Sequence, residues 1–434
     1  MAFTPMTVAE IFEAFIDTSE KPLPLRLTAF DGSAAGPEDA KVGINVRSRD
    51  ALNHIVTHLR DDVGFGRAFV TGELELTRVS LGHPIEAFGA LMDLHDQFEV
   101  PPAATLAKVV RSLRAMGLPY VPEIPEIERT AWWKKRLHNG LARHSKERDA
   151  ASISSHYDVS NEFYELLLGA SMTYTCAYYP NEDSTLEEAQ ENKYRLVFDK
   201  LRLKEGGRLL DVGCGWGGMV LYAARRGVKA IGVTLSEQQA EWAQAKIKEE
   251  GLEDLAEVRF QDYRDVSEQN FDAISAIGIL EHIGVKNYPS FFGFLYGKLK
   301  EGGLMLNHCI TYWDNHRTRK GTFIDRYIFP DGELTGVGTI MHAMQDQGFE
   351  MVDQQNLRFD YARTLNDWCE NLENDWDKAV ELVGEQTAKL WGMYMAGSEY
   401  NFRHNAIQLH QVLGVKLLPD GSRGDVPERQ WWED

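Results

Sequence analysis

The sequence has no apolar run long enough to cross a bilayer, and it has few cysteines. A membrane-spanning helix needs about 20 consecutive apolar residues, and no segment of this 434-residue chain comes near that length. The four cysteines form no C-x-x-C pair, so neither a disulfide framework nor a zinc site is expected. The first residues are acidic and lack the basic start of a secretory signal. These absences predict a cytoplasmic protein.

Positive charge is also in the minority. The chain has 46 Lys and Arg against 66 Asp and Glu, which gives a net charge of −20. This balance disfavours nucleic acid as a partner, because a phosphate-binding protein usually carries a basic face. Any contact with anionic lipid must therefore come from a local patch.

Composition and the positions of glycine and proline divide the chain into three regions. Residues 1–120 form a small α+β N-terminal domain, with strands in LPLRLTAFDGS and AKVGINV and helices in DALNHIVTHLRDD and PIEAFGALMDLHDQF. VGFGRAFVTGELELT between them is punctuated by glycine and is predicted to end in a strand. Residues 121–150 are predicted to be a linker, and residues 151–434 a second, larger domain.

The linker combines prolines with a basic, tryptophan-bearing stretch, 132–148. Its aromatic and basic residues are Trp132, Trp133, Lys134, Lys135, Arg136, Arg143, Lys146 and Arg148. One interpretation is a solvated, charged helical linker. The other is a membrane-docking segment with aromatics at headgroup depth and bases on anionic lipid.

Residues 190–355 alternate between strand and helix patterns. The strand candidates are GRLLDVG, AIGVTLS, VRFQDY, FDAISAIG and GLMLNHCI. Alternation at this spacing predicts the α/β class, with a mostly parallel, doubly wound sheet. Residues 364–413 are predicted to be helices rich in Trp and Tyr.

A glycine-rich turn follows the first strand of this sheet, in LLDVGCGWGG at 209–218. The strand ends at Asp211, and the glycines are Gly213, Gly215, Gly217 and Gly218. A dinucleotide site would need G-x-G-x-x-G and an acid at the end of the next strand, and both are missing. The D-x-G-x-G-x-G pattern resembles that of class I S-adenosylmethionine methyltransferases, whose Rossmann-like sheet has seven strands and a reversed last hairpin. By the same resemblance, Asp262, Tyr263 and Arg264 lie where such enzymes hold the adenine.

Further motifs narrow the resemblance. They are HYDVSNEFYELLLG, MTYTCAYY, GVTLSEQQ, GILEHIGVKNY, LNHCI and DYARTLNDW, in this order. Together they resemble the cyclopropane-fatty-acyl-phospholipid synthase family, which includes the mycolic acid cyclopropane synthases. The match covers about 150–413 and is weaker in the N-terminal domain, where Arg67 stands in place of the family's usual Glu and where Thr71 and Glu73 also depart.

The resemblance implies transfer of a methyl group from S-adenosylmethionine to the cis double bond of an unsaturated phospholipid acyl chain, which gives a cyclopropane fatty acid. It implies a cofactor site made by Tyr174, Thr175, Asp211, Gly213, Gly215, Gly217, Thr234, Leu235, Ser236 and Gln239. It also implies a bicarbonate ion bound by Cys176, Glu281, His308, Tyr361 and the backbone amide of Ile310.

The chemistry explains these residue types. An alkene is a poor nucleophile that no base can activate by deprotonation, so the enzyme must align the sulfonium methyl with the π bond in a dry pocket. The resulting carbocation must then lose a proton for the ring to close. A small base can reach that proton, with Glu281 and His308 orienting it and carrying the proton away.

Other interpretations remain open. Taken singly, His308 is typical of a buried core histidine and Cys176 of a small buried hydrophobe. The same methyl transfer can end in a 10-methylene fatty acid, the precursor of tuberculostearic acid, which a separate reductase would convert. The glycine turn alone would suit a small-molecule methyltransferase. A non-catalytic lipid-binding protein would leave the complete set of site residues unexplained.

A phospholipid substrate implies peripheral contact with the inner face of the membrane. Besides 132–148, the segment 311–330 is a candidate for this contact or for a lid, and a solvent loop is the alternative. It carries Tyr312, Trp313, Arg317, Arg319 and Lys320. A homodimer is a further expectation from the family.

Overall fold

The computed structural model describes residues 3–58, 62–125, 128, 160–316, 318, 321–329 and 331–432. These residues form two compact units that alternate along the chain. One unit contains the described residues up to 128 together with 321–328 and 368–400. The other contains 160–318, 329–367 and 401–432. Boundaries at 120 and 150 would divide the chain into consecutive domains, whereas each of the two units is made of several separate segments of the chain.

The described strands follow one another in this order: β1 Arg26–Ala29, β2 Ala34–Ala35, β3 Gly43–Val46, β4 Leu74–Thr77, β5 Arg208–Val212, β6 Lys229–Thr234, β7 Ala256–Phe260, β8 Phe271–Ile277, β9 Leu299–Tyr312, β10 Phe349–Asn356 and β11 Ile407–Lys416.

The helices in the described part of the chain are numbered separately. Those before β5 are α1 Val8–Glu13, α2 Arg49–Thr57, α3 Val63–Val70, α4 Ile85–Asp96, α5 Ala103–Ala115, α6 Asn161–Leu168 and α7 Leu186–Lys200. Those after it are α8 Gly218–Ala224, α9 Glu237–Glu249, α10 Leu280–Ile283, α11 Tyr288–Lys298, α12 Phe323–Tyr327, α13 Val337–Asp346, α14 Arg358–Asn374, α15 Trp376–Val383 and α16 Glu385–Arg403.

The first unit is built around a four-stranded sheet in the order β2-β1-β3-β4. The predicted strands and helices of the N-terminal region are present, but the glycine-punctuated stretch contains a helix, α3, before its strand. The glycines of this helix allow close packing. A Cβ at Gly64 would lie 2.3 Å from the carbonyl oxygen of His54 in α2.

Arg67, the residue that departs from the family pattern, is buried in α3. Its guanidinium donates to both oxygens of Glu128, each at 2.7 Å. Glu128 is itself buried and also accepts from Arg326 and from the hydroxyl of Tyr327. Glu128, which belongs to a proline-rich stretch predicted to be an extended linker, is therefore an anchored core residue.

The second unit contains a seven-stranded sheet in the order β10-β11-β9-β8-β5-β6-β7. Strands β5 to β9 are parallel, and β11 runs antiparallel to both β9 and β10. The predicted doubly wound sheet with a reversed last hairpin is confirmed. The prediction of helices for 364–413 is wrong at its end, because β11 begins at Ile407.

Apolar side chains cover both faces of this sheet. Alternate residues of β5 point to opposite sides, since Leu209 belongs to one buried cluster and Leu210 and Val212 to another. Helices on both faces leave the carboxyl ends of the parallel strands to carry the polar residues. In open α/β sheets ligands bind in the crevice at that edge.

Candidate active site

The glycine turn at residues 213–218 connects β5 to α8. Gly213, Gly215 and Gly217 have φ angles of +73°, +54° and +81°, a region that favours glycine. A Cβ at Gly213 would lie 2.9 Å from the Cβ of Ile279, which follows β8. The N–H groups of Gly213 and Cys214 both donate to the carbonyl oxygen of Val233 in β6. The turn therefore lies where the ends of β5, β6 and β8 meet.

Three of the four expected cofactor residues after β6 are buried and bonded to one another. The Thr234 hydroxyl donates to Gln239 Oε1 at 2.8 Å, and Ser236 caps α9 by accepting from the Gln239 N–H. Leu235, which is half-buried, lies between them. This arrangement holds Thr234, Ser236 and Gln239, which are expected to contact the cofactor, in place beside the glycine turn.

Asp262, Tyr263 and Arg264 follow the end of β7, but they do not form an open polar cradle. Arg264 donates to Asp262 Oδ1 at 2.8 Å and to Oδ2 at 2.6 Å, so the two charges offset each other. The Tyr263 ring packs edge-on against Phe291 and Phe294, with centroids 5.2 and 5.7 Å away. The expected adenine residues are therefore at the expected strand end, with Tyr263 contributing to the core.

Asp211 is buried at the end of β5. One of its carboxylate oxygens accepts from the Ser275 hydroxyl at 2.6 Å. Burial raises the pKa of Asp211 to about 6, against the opposing effects of the Ser275 hydrogen bond and the Lys193 charge. Asp211 thus supplies negative charge behind the glycine turn.

The segment 173–176 brings the cofactor residues next to the first expected catalytic residue. The Tyr174 ring lies 6.0 Å from that of Tyr164. Thr175 packs so closely that a Cβ on Gly278, just after β8, would lie 2.9 Å from its methyl group. Cys176 is fully buried, and burial raises the pKa of its thiol well above the ordinary value. Cys176 is therefore a neutral thiol, able to donate a hydrogen bond but unsuited to act as a base.

Three residues on one face of α7 hold this segment, and the sequence motifs did not identify them. Gln190, Lys193 and Tyr194 all make hydrogen bonds to Thr173 or Thr175. Their spacing of three and four residues, in a helix with a buried apolar face, is the only signal in the sequence that could have found them.

Glu281 lies in the short helix α10, four residues after the end of β8. Its Oε1 accepts from the backbone N–H of Ile310 in β9 at 2.8 Å. Its Oε2 is buried and has no hydrogen-bond partner among the residues that the structure describes. Burial raises the pKa of Glu281 to about 7, with the Ile310 hydrogen bond opposing the rise. This carboxyl can therefore gain or lose a proton near neutral pH.

His308 is buried in β9, two residues before Ile310 and on the same face of the strand. Its Nδ1 lies 3.2 Å from the Gln411 side-chain nitrogen, which can only donate, so Nδ1 is the acceptor. Burial lowers the pKa of His308 well below its ordinary value, and nearby lysines lower it further. The neutral ring then carries its proton on Nε2. Nε2 is buried with no partner in the described part of the chain.

A continuous set of backbone contacts links the remaining residues to this pair. Ile310 pairs with Leu409 of β11, and the Leu409 carbonyl accepts from the N–H of Leu357. The Leu357 carbonyl accepts from the Tyr361 N–H at 3.0 Å and lies 3.8 Å from the Cys176 sulfur. The five expected catalytic residues therefore come from four separate stretches of chain to one region.

The Ile310 amide differs from the expectation. It was expected to bind an anion, whereas its N–H donates to Glu281. The strand hydrogen bonds of β9 leave this amide directed at α10, so it orients the carboxylate. Tyr361 is buried in α14, with its ring 4.6 Å from that of Phe402.

Comparisons with known proteins agree on one family. A family model described as mycolic acid cyclopropane synthetase matches residues 144–412. A probable fatty acid methyltransferase of Mycobacterium tuberculosis is 52% identical over 99% of this chain and 99% of that protein. The cyclopropane-fatty-acyl-phospholipid synthase of Escherichia coli K12 is 36% identical over 64% of this chain and 71% of its own length.

Solved structures of the same family match 62% of the chain. The cyclopropane synthase MmaA2 from Mycobacterium tuberculosis is 31% identical, with a TM-score of 0.57 over 62% of this chain and 98% of that chain. The mycolic acid cyclopropane synthase CmaA1, solved with SAH and CTAB, is 32% identical, with the same TM-score and coverage.

Proposed function

Since this chain belongs to the mycolic acid cyclopropane synthetase family and is an S-adenosylmethionine-dependent methyltransferase, we propose that it acts on the cis double bond of an unsaturated phospholipid acyl chain. The methyl group moves from sulfur to carbon, the product is a cyclopropane fatty acid, and S-adenosylhomocysteine is released. The relatives' names support a fatty acyl substrate, and we propose in addition that a phospholipid carries the acyl chain.

The observation that supports this function best is the pair of unpaired buried atoms, Glu281 Oε2 and His308 Nε2. A buried polar atom without a partner costs about 1–3 kcal/mol. Such atoms on two of the residues expected to be catalytic support a ligand or a reacting group there, although other buried polar atoms of the described residues, such as Gln411 Oε1, also have no partner. A methyltransferase for an ordinary nitrogen or oxygen nucleophile would need one base. An alkene needs a group that accepts the proton from the newly transferred methyl.

The electron movements define what each residue must do. The π electrons of the double bond form a bond to the methyl carbon, and the sulfur keeps the electron pair of the bond that breaks. A carbocation remains on the neighbouring carbon. Loss of a proton from the new methyl leaves an electron pair that closes the three-membered ring. An aromatic ring such as that of Tyr361 can stabilise the carbocation. A neutral thiol such as that of Cys176 can also lie beside it, because it is alkylated less readily than a thiolate.

The donor and acceptor chemistry of the two unpaired atoms suits a bicarbonate ion, but the whole expected ligand set is not available to it. The Nε2–H of neutral His308 can donate to an anion, and Glu281 Oε2 can accept an O–H. The Ile310 N–H already donates a hydrogen bond to Glu281, so it is not available to the ion. When bound, the ion would supply a small base beside the reacting carbon. Glu281 would then receive the proton, as its pKa of about 7 allows.

The test uses purified protein, S-adenosylmethionine and vesicles of oleoyl phospholipid. Fatty-acid methyl esters are analysed by gas chromatography–mass spectrometry and by proton NMR. We expect a mass gain of one CH2 and ring protons upfield of the methyl region. Cofactor binding without any added mass would refute an acyl-phospholipid substrate.

A second product is supported by one observation. The relative at 52% identity is named a probable fatty acid methyltransferase, and that name specifies methyl transfer without ring closure. If the cation shifts a hydride before losing its proton, a 10-methylene acid forms with the same mass gain. NMR separates the two, since exocyclic methylene protons appear in the alkene region. A reductase would then act downstream.

A small-molecule methyltransferase is the remaining alternative. It requires only the glycine turn and the residues after β6. It would leave Glu281, His308 and the buried Cys176 without a purpose. Turnover with soluble amines or alcohols, and none with vesicles, would favour it.

We further propose that the protein docks peripherally on anionic membranes. No helix in the described residues is long and apolar enough to span a bilayer. Segment 132–148 lies outside the described residues, as do Arg317, Arg319 and Lys320, while Trp313 is 60% exposed. The described part offers α5, which exposes Leu106 and Val110 together with three bases. No acidic residue lies between 100 and 122 in this otherwise acidic chain.

Charge reversal on α5 tests the docking surface. Changing Lys108, Arg111 and Arg114 to Glu should weaken binding to anionic vesicles by about a hundredfold or more, since each base near the surface contributes about 1 kcal/mol. The control reverses three exposed lysines of the other unit: Lys204, Lys229 and Lys248. Equal loss in both variants would show an effect of net charge alone. Reversal of Lys134, Lys135 and Arg136 tests segment 132–148 in the same assay, and unchanged vesicle binding would remove that segment from the proposal.

A further inference from the structure

Lys193 is an unusual residue for the interior of a protein. Its side chain is fully buried in α7, and its ammonium group makes one hydrogen bond within the described residues, 2.9 Å to the hydroxyl oxygen of Thr175. A buried ammonium costs several kcal/mol unless it is well paired. The face of the Tyr194 ring is a second, weak partner, with its centroid 4.3 Å from the Lys193 nitrogen. Burial lowers the pKa of Lys193 to about 7, so an anion nearby would stabilise its charged form.

The same face of α7 fixes the backbone around Thr175. The Gln190 side chain donates to the carbonyl oxygen of Thr175 at 3.0 Å. The Tyr194 hydroxyl bonds to the Thr173 hydroxyl at 2.7 Å. A Cβ on Gly218 would lie 2.0 Å from the Tyr194 hydroxyl oxygen, so this residue also contacts the glycine turn. Thr175 is thus held in place between α7 and the cofactor turn, and only its hydroxyl hydrogen can be reoriented.

Lys193 restricts the direction in which the hydroxyl hydrogen of Thr175 can point. An ammonium only donates, so Thr175 Oγ1 must accept from Lys193. The Thr175 O–H is then a donor to some other group, and the positive charge behind it makes it a stronger donor. A hydroxyl supported in this way suits a carboxylate.

The opposite charge is supplied by Asp211, at the end of β5. Its carboxylate is buried, and burial raises the pKa of Asp211 to about 6, with the Ser275 hydrogen bond and the Lys193 charge opposing the rise. The methionine part of S-adenosylmethionine carries one ammonium and one carboxylate. An acid on one side and a lysine-backed hydroxyl on the other match that pair of charges.

We propose that Lys193 is a positioning residue that binds the carboxylate of S-adenosylmethionine indirectly, through the hydroxyl of Thr175. This deepens the proposed function by assigning the recognition of the cofactor's amino-acid end, and it rests on the family's cofactor rather than on the lipid product. Asp211 faces the α-ammonium group in the same arrangement. Because Thr175 precedes Cys176, Lys193 also ties the cofactor to the catalytic region.

Calorimetry on the full-length protein tests this with two ligands that differ at the amino-acid end. S-adenosylhomocysteine has the carboxylate, and 5′-methylthioadenosine lacks the whole amino-acid group. Lys193→Met should weaken S-adenosylhomocysteine binding by about tenfold to a hundredfold, the range for one charge-assisted hydrogen bond. Binding of 5′-methylthioadenosine should change by less than about twofold.

The chain offers a matched control on the same helix. Lys200 is also fully buried in α7, but it pairs with Asp353 and Gln355 at 2.8 and 2.6 Å. Lys200→Met should lower the melting temperature and leave the ratio of the two affinities unchanged. Equal weakening of both ligands by Lys193→Met would mean that Lys193 only supports the segment, and would overturn the proposal.

A second variant covers the case in which Lys193→Met does not fold. Thr175→Val, with Lys193 retained, should reproduce the selective loss of S-adenosylhomocysteine affinity. The two substitutions should also be non-additive in a double variant, because both remove one connection. Additive losses, or an unchanged affinity ratio in Thr175→Val, would refute the indirect contact. These binding results stand whether or not a cyclopropane product is found.

Discussion

Replacing Glu281 with Gln changes the chemistry of one oxygen and leaves the local structure in place. The amide oxygen of Gln can accept from the Ile310 N–H as Oε1 does now. The buried Oε2 becomes an NH2 group, which donates and cannot accept a proton. If Glu281 receives the proton lost from the new methyl, turnover should fall by about 10²–10⁴-fold, the usual contribution of general acid–base catalysis. Affinity for S-adenosylhomocysteine should stay within about twofold.

The Glu281→Gln variant should lose turnover but gain stability against unfolding. The pKa of Glu281 rises from an ordinary 4.5 to about 7 in the folded protein because the carboxyl is buried. Between those pH values the unfolded chain is ionised and the folded chain is protonated, so native stability falls as pH rises and then levels off above about 7. At one pKa unit per 1.36 kcal/mol, the loss is about 3 kcal/mol. The Gln variant lacks this loss.

Two assays separate these effects. Thermal melting of both proteins at about pH 5 and pH 8 should show a melting-temperature advantage of Glu281→Gln that grows by several degrees at the higher pH. In the native enzyme, kcat/KM for lipid should rise about tenfold per pH unit up to about 7 and then level off. Turnover near that of the native protein would remove Glu281 from the mechanism. A melting advantage that does not change with pH would contradict the buried, uncharged carboxyl.

Three further changes test other parts of the structure. Gly213→Ala should lose cofactor affinity as well as stability, whereas Gly206→Ala, with a similar φ but no neighbour within 4 Å, should cost only about 1–2 kcal/mol of stability in a melting experiment. Arg67→Met should lower the free energy of unfolding by about 3 kcal/mol, because it leaves the buried Glu128 without its two-point partner; an unchanged melting temperature would contradict this. Gln411→Leu should lower turnover by about tenfold with cofactor affinity unchanged, since it removes the donor that keeps the histidine proton on Nε2. A loss of cofactor affinity in that variant would point to general damage instead.

Local patterns in the sequence determined the main part of the second unit. Strand–helix alternation predicted β5 to β9, and the glycine turn after Asp211 predicted where the ligand edge would be. Such features are readable because they depend on neighbours close in the chain: strand periodicity, and glycines where only positive φ closes a turn. The ordered motifs then identified the family, and with it Glu281, His308, Cys176 and Tyr361 as a set.

Features that depend on distant parts of the chain were decided only by the tertiary structure. The helix α3 forms because its glycines let α2 approach closely, which no local propensity reveals. Likewise, β11 at 407–416 is a strand because it pairs with both β9 and β10. A prediction made from local periodicity has no access to those partners.

The site divides in the same way. The resemblance carried by the ordered motifs implied which side chains form the catalytic set. Their states came from burial and from hydrogen bonds across the sheet: the Ile310 amide is used to orient Glu281, and Gln411 selects the tautomer of His308. Lys193 was invisible in the motifs because a lysine in a helix is ordinarily solvent-exposed. Only the tertiary structure shows that it is buried with its ammonium group on Thr175, a residue expected to contact the cofactor.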